Sequence, residues 1–327
     1  MALKMIAALS VIALAGGAFV TDRQAASRVS SAEREYPPEG VLIDVDGRQV
    51  HAVVRGDGPA VVLLHGAGGN TREWTFSLVE RLSMRYRVIA FDRPGMGYTD
   101  RTDAKYEGAF SAEAESPMEQ AEMLHKAATE LGVDNAIIVG HSYGSIVALA
   151  WALRFPDDTA GLVTLGGVSH PWPGELGSYY TVNGSAVGGA VLPPLIAAFA
   201  SDERVENAIA GIFAPNPVPE GYKDYIGAPL TIRPDSFRAN TRQVNTLYPH
   251  VVDMAPRYAE EITMPLEIIH GDLDTTVPLE VHSIPLSAAV PHAKLTVLEG
   301  VGHMPHHTHP DVFEAALDRV ADAAGLR

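Results

Sequence analysis

Short apolar runs that alternate with helix-patterned stretches constrain this chain more than any other feature. Ala60–Leu64 (AVVLL), Arg87–Phe91 (RVIAF), Ala136–Val139 (AIIV) and Leu162–Leu165 (LVTL) are too short for helices and almost continuously apolar. Such runs read as strands buried on both faces. Between them, Arg72–Met84 carries Trp74, Leu78 and Leu82 at helical spacing, Pro117–Leu131 opens on proline and stops at Gly132, and Tyr143–Phe155 stops at Pro156. Strands joined through helices pair in parallel. The expected fold is therefore α/β, a mostly parallel central sheet with helices on both faces. At the front, Val41–Val45 and Gln49–Val54 flank Asp46-Gly47, which signals a hairpin.

The alternation stops near Val168 and resumes at Pro265–Ile269, followed by Leu295–Leu298 and a final helix from Pro310 to about Ala324. A structureless loop of that length is not expected in a compact domain. Residues 168–263 are therefore read as a helical cap inserted over a core made of 37–167 and 264–327. Its apolar residues Leu192, Leu195, Ile196, Phe199, Ile212 and Phe213 either line a pocket or form the cap's own core, and the second reading is the default for any one of them. The polar stretch Arg233–Asn240 reads as a solvated loop.

Residues 1–36 form a separate segment. Lys4 precedes the apolar run Met5–Val20, which Asp22 and Arg23 close. A positive start before an apolar stretch is an export signature. The small-residue site Ala13-Leu14-Ala15 lies inside the run, and cleavage there would leave little apolar segment. An uncleaved anchor is thus preferred over a removed signal peptide. With Lys4 inside, the remainder lies on the outer face of a membrane, so the chain is expected to be membrane-anchored or exported. Residues 21–36 suit a linker or a continuing exposed helix. The net charge of −16, from 24 basic and 40 acidic residues, argues against a nucleic-acid partner. The absence of cysteine excludes a disulfide scaffold, a thiol nucleophile and a thiolate metal site.

The chemistry-bearing pattern is Gly140-His141-Ser142-Tyr143-Gly144, a G-x-S-x-G sequence. It sits between the AIIV strand and a helix, where a sharp turn holds a serine hydroxyl exposed and glycines relieve crowding. With this elbow the order of motifs resembles that of the α/β-hydrolase superfamily. HGAGG follows one strand, DRPGMGYTD the next, GHSYGS forms the elbow, and HGDLDTTVP and GVGHMPHHTHP come late. The resemblance covers about residues 41–325 and is strongest to the esterase, perhydrolase and ring-fission branches, which use a serine at the elbow.

A serine alcohol needs a positioned base, and the base an orienting acid. In this fold they follow in the order serine, acid, histidine. His303, after the LTVL strand and before the last helix, is the candidate base. Asp272 and Asp274 both follow the PLEII strand. The resemblance aligns Asp274 with the acid and leaves Asp272 as a turn residue. It also implies an oxyanion hole from the backbone amides of Tyr143 and Ala67. HGAGG lacks the endings of phosphate-binding loops. His65, Asp92 and Arg93 read as structural, with the Asp92–Gly97 loop bordering the pocket. His303, His306, His307 and His309 invite a metal reading. The preferred reading is a catalytic His303 beside three loop or surface histidines, with no metal and no cofactor. The implied activity is hydrolysis of a small, uncharged carboxylic ester through an acyl-enzyme. Carbon–carbon hydrolysis or perhydrolysis on the same residues, and a non-catalytic binding protein on this fold, are the alternatives.

Overall fold

The computed structural model describes residues 2–327, with side chains from residue 15 onward. Its strands are β1 (Val41–Val45), β2 (Arg48–Arg55), β3 (Ala60–Leu64), β4 (Arg87–Phe91), β5 (Ala136–His141), β6 (Thr159–Leu165), β7 (Leu266–Gly271) and β8 (Lys294–Leu298). They form one 8-stranded sheet in the order β1-β2-β4-β3-β5-β6-β7-β8. β1 and β2 are an antiparallel hairpin turned by Asp46 and Gly47, both at positive φ. β2 is antiparallel to β4, and every pairing from β4 to β8 is parallel.

Successive residues of a strand point to opposite faces, and each face has its own core. Val62, Leu64 and Ile138 pack with the helices Pro117–Glu130 and Tyr143–Arg154. Val61, Leu63, Ile137 and Val139 pack with Trp74, Leu78 and Leu82 and with Phe313, Leu317 and Val320 of the Pro310–Ala323 helix. Each such fully buried side chain contributes about 1.5–3 kcal/mol. The two layers hold the sheet rigid, so the loops at its carboxyl edge have a fixed base.

The helix expected over Arg72–Met84 is two helices, Arg72–Thr75 and Leu78–Ser83. The break at Phe76 and Ser77 sends neighbouring aromatics opposite ways. Trp74 enters the core, while Phe76 packs edge-on against Tyr222 and Tyr225.

Between β6 and β7 the chain is helical. The longer pieces are Ala186–Phe199, Asp202–Phe213, Pro234–Asn245 and Leu247–Met254. The reading of Arg233–Asn240 as a solvated loop is wrong. Pro234 opens a helix in which Phe237, Arg238, Asn240, Thr241 and Arg242 are buried. Most of the polar side chains tolerate burial because they are paired, although Asn240 Oδ1 and Arg242 Nε have no partner among the described residues. Arg238 Nε donates to Gly189 O at 2.8 Å, Arg242 Nη1 to Gly108 O at 2.9 Å, and Gln243 Nε2 to Pro94 O at 2.7 Å.

The first helix runs Ala2–Glu35, so residues 21–35 continue it rather than forming a loose linker. This part docks on the cap. Ala25 packs against Ala197 and Ala198, Arg28 Nη1 donates to Ala200 O at 2.7 Å, and Glu33 pairs with Arg233 at 3.0 Å. Most of Met5–Val20 lies outside the residues whose side chains are described. Among the described residues no helix is long and apolar enough to cross a membrane.

Candidate active site

Ser142 joins β5 to the Tyr143–Arg154 helix with φ 51° and ψ −119°. A left-handed backbone on a residue with a Cβ costs on the order of 1–3 kcal/mol and persists only where the surroundings enforce it. Here Ser142 N donates to Leu165 O at 3.0 Å, and Ser142 O accepts from Ser145 N at 3.1 Å and Val168 N at 3.2 Å. The glycines on either side are required by close packing. A Cβ on Gly140 would strike the backbone of Gly144 and Ser145, and one on Gly144 would strike the carbonyls of Leu64 and His65.

Asp274 lies in the turn after β7 and His303 in the loop after β8. His303 Nδ1 donates to Asp274 Oδ2 at 2.7 Å. Asp274 Oδ1 accepts from the amides of Thr276 and Val277, both at 2.9 Å, and His270 Nε2 lies 3.2 Å from Oδ2. Burial favours the neutral acid, but the hydrogen bonds from His270 and His303 outweigh it and hold the Asp274 carboxyl well below the usual range. Burial, reinforced by the charge of His141, pushes His303 below its ordinary value against the pull of Asp274. With its hydrogen on Nδ1, His303 has Nε2 free to accept a proton. Asp272 makes a different contact: its Oδ1 accepts from Gly300 N at 2.7 Å, fixing the turn. The cap reaches this loop through Asn216, whose Oδ1 accepts from Gly302 N at 2.9 Å.

Ser142, His303 and Ala67 border one cavity of about 790 Å³. Among the described residues, no hydrogen bond is donated by the amides of Ala67 or Tyr143. The loop carrying Ala67 is held from behind. Arg93 Nε donates to His65 O at 2.9 Å, Arg93 Nη2 to Gly66 O at 3.2 Å, and Arg93 N to His65 Nε2 at 2.9 Å. The Arg93 guanidinium also lies 4.3 Å from the centre of the Tyr143 ring. Asp92 is buried, with Oδ1 accepting from Thr71 N at 2.7 Å and Oδ2 from Tyr98 N at 2.8 Å. Both charges brace loops, as their motif suggested. The Asp92–Gly97 loop lies behind the cavity and does not border it, because Arg93 turns inward beneath the loop that carries Ala67.

The far wall belongs to the cap. Leu195, Ile196, Phe199 and Ile212 line the cavity, so these four resolve toward a pocket. Phe213 borders it too but is fully buried in a core cluster with Ile209, Tyr222 and Met304, and Leu192 does not line it. Phe237 and Asn240 also line it, from the helix mistaken for a loop. Arg204 is the one lysine or arginine among the described lining residues.

The histidine cluster needs correction as well. His306 is fully buried and His307 is partly buried on a short helix, Pro305–Thr308; only His309 is exposed. His306 stacks near Trp74 and His141, with ring centres 5.0 Å and 4.4 Å away. Glu73, His141 and His306 bring potential ligand atoms within 4.8 Å of one another, the arrangement among the described residues that best fits a metal. Both ring nitrogens of His141 are engaged in hydrogen bonds, however, with Glu73 Oε1 at 2.8 Å and His303 O at 3.0 Å. Sequence reasoning missed Glu73 entirely. The polar residue inside an otherwise helical Trp74 pattern was its only signal.

Residues 61–316 match the model of the alpha/beta hydrolase family. The 2-hydroxymuconate semialdehyde hydrolase of Pseudomonas putida is 28% identical over 90% of this chain and 99% of its own length. An esterase from a Rhodococcus species superposes with a TM-score of 0.64 at 22% identity, over 88% of this chain and 98% of that one. The structure of a bacterial membrane phospholipase A superposes with a TM-score of 0.60 at 20% identity and covers 98% of this chain and 99% of that one. These two structures share the fold.

Proposed function

The chain belongs to the alpha/beta hydrolase family, and we propose that it cleaves a small uncharged carboxylic ester with an apolar acyl group through an acyl-enzyme on Ser142. The observation that carries this reading is the apolar cavity with Ser142 and His303 on one wall and cap side chains on the other. His303 Nε2 takes the Ser142 hydroxyl proton as Oγ bonds to the carbonyl carbon. The carbonyl electrons move onto oxygen, where the amides of Ala67 and Tyr143 receive the charge. The intermediate collapses, the alkoxide leaves with the proton from His303, and the acyl group stays on Oγ. Water then gives a proton to His303 and attacks the acyl carbon, releasing the acid and returning the proton to Ser142. Asp274 holds the imidazole tautomer throughout.

A series of p-nitrophenyl esters of increasing chain length tests this reading. Neutral esters of medium chains are expected to turn over fastest. Faster cleavage of an anionic ester than of its neutral analogue contradicts it. Carbon–carbon hydrolysis is the second reading, favoured by the similarity to the Pseudomonas putida hydrolase. Its enolate or carboxylate substrate would need a cation, and Arg204 is the candidate. Cleavage of a vinylogous diketone that is lost in Arg204→Gln, with ester turnover retained, would favour that chemistry.

Met5–Val20 is retained in this proposal as an uncleaved anchor holding the hydrolase at the outer face of a membrane. The docking of Ala25, Arg28 and Glu33 on the cap would join such an anchor to the body of the hydrolase. Mapping of the mature N-terminus is expected to recover residues before Val20, and a uniform start beyond Val20 overturns the anchor.

A further inference from the structure

We propose that Glu73 and His141 form a buried positioning pair that ties the oxyanion loop, the serine elbow and the base loop together and keeps a positive charge beside His303. The inference rests on the reading of Ser142 and His303 as nucleophile and base. It concerns two residues that make no contact the reaction itself requires.

The connections follow one another through space. Glu73 Oε2 accepts from Gly66 N at 3.4 Å, in the loop that carries Ala67. Glu73 Oε1 meets His141 Nδ1 at 2.8 Å, one residue before Ser142. His141 Nε2 meets the carbonyl oxygen of His303 at 3.0 Å. Three loops from the ends of three strands are thereby joined by two side chains, both nearly inaccessible to water.

The partners also define the charge. Both atoms facing the His141 ring, a carboxylate oxygen and a carbonyl oxygen, are acceptors. Each ring nitrogen must therefore carry hydrogen, and the ring is an imidazolium paired with a carboxylate. Burial disfavours that charge, but the Glu73 carboxylate outweighs it and holds His141 above its ordinary value. Glu73 is held well below the usual carboxylate range by His141 and His306, against burial.

The surrounding groups fit this assignment. His306 lies on the far side of Glu73, with Nε2 3.5 Å from Oε1, and burial and the His141 charge lower it to about 4. It is neutral at pH 7, as is His307 behind it. His65, at the start of the oxyanion loop, and Arg93, beneath that loop, face the pair, and burial with the Arg93 charge lowers His65 to about 4. On the other side the His141 ring centre lies 4.9 Å from that of His303, beyond which is Asp274. The positive end of the pair therefore faces the base and lowers its proton affinity, while Glu73 faces away.

The test compares the wild type with Glu73→Gln and His141→Gln, each normalised by active-site titration with a fluorophosphonate. Loss of the imidazolium removes the repulsion on His303, whose pKa rises. The acidic limb of kcat/KM is expected to move to higher pH by about half a unit or more. Turnover per titrated site is expected to fall about ten- to a hundredfold. Glu73→Asp, which keeps the charge, is expected to leave the limb near its wild-type position. A limb unmoved in both glutamine variants overturns the proposal, because a purely structural role lowers the titratable fraction and leaves the limb in place. A second measurement needs no variant: the ¹⁵N spectrum of the histidines in the wild-type chain. Both His141 nitrogens are expected to be protonated at pH 7, and a neutral tautomer overturns the pair. If Ser142→Ala retains full activity, the underlying triad reading fails instead, and the two failures are distinct.

Discussion

The two walls of the cavity are built by different means. On the sheet side, Ser142 and His303 border the cavity from beyond the carboxyl ends of β5 and β8, with Asp274 after β7 behind His303. Backbone amides and carbonyls hold Ser142 and Asp274, and the Asp274 carboxylate and His141 ring hold His303. On the cap wall, Leu195, Ile196, Phe199 and Ile212 project from two helices and touch the space with interchangeable apolar side chains. On the proposed mechanism the first wall fixes where atoms react, so one displaced group is felt strongly. The second fixes what fits, so a change there alters selection by an amount set by the methylenes lost or gained.

The largest expected effect tests the sheet wall. Ser142→Ala is expected to lower kcat about 10⁶-fold, measured as hydrolysis of a p-nitrophenyl ester. Relief of the positive φ is not expected, since alanine keeps the Cβ. Asp274→Asn comes next, with an expected loss of about 10⁴-fold, because the amide cannot hold the tautomer that leaves Nε2 free. A loss below tenfold would contradict Asp274 as the orienting acid.

The cap wall should respond more weakly and in a different quantity. Phe199→Ala is expected to raise KM for a medium-chain ester about ten- to a hundredfold, with little change for an acetate ester. Equal losses for both esters would show that the cap positions the reacting carbonyl and would erase the contrast. The smallest effect is in pH. His303 is held below its ordinary value by burial and the His141 charge, against Asp274. As a base it remains unprotonated to lower pH, so kcat/KM is expected to stay flat through neutrality and fall only below about pH 6.5. A limb above neutrality would contradict the stated balance.

The same contrast explains what could be read from the sequence. The elbow was legible because its backbone geometry admits few residues: Gly140 and Gly144 have no room for a Cβ. The strands were legible because burial on both faces demands unbroken apolar runs. The cap was harder, because a helix buried by its polar side chains carries no apolar stripe. Arg238, Arg242 and Gln243 reach backbone carbonyls that only the folded chain supplies. His306 was misplaced for a related reason. Its burial depends on Trp74 and His141, both more than 160 positions distant, and nothing in GVGHMPHHTHP announces them. Glu73 belongs to the same class, being charged and deep only because His141 comes to meet it.

The central claim is that Ser142 is the nucleophile of a working acyl-transfer site, and fluorophosphonate labelling of the folded wild-type chain tests it most directly. One adduct per chain is expected, on the peptide that carries Ser142, with His303→Gln labelled far more slowly. No labelling of the folded chain, or an adduct on any other residue, contradicts the account.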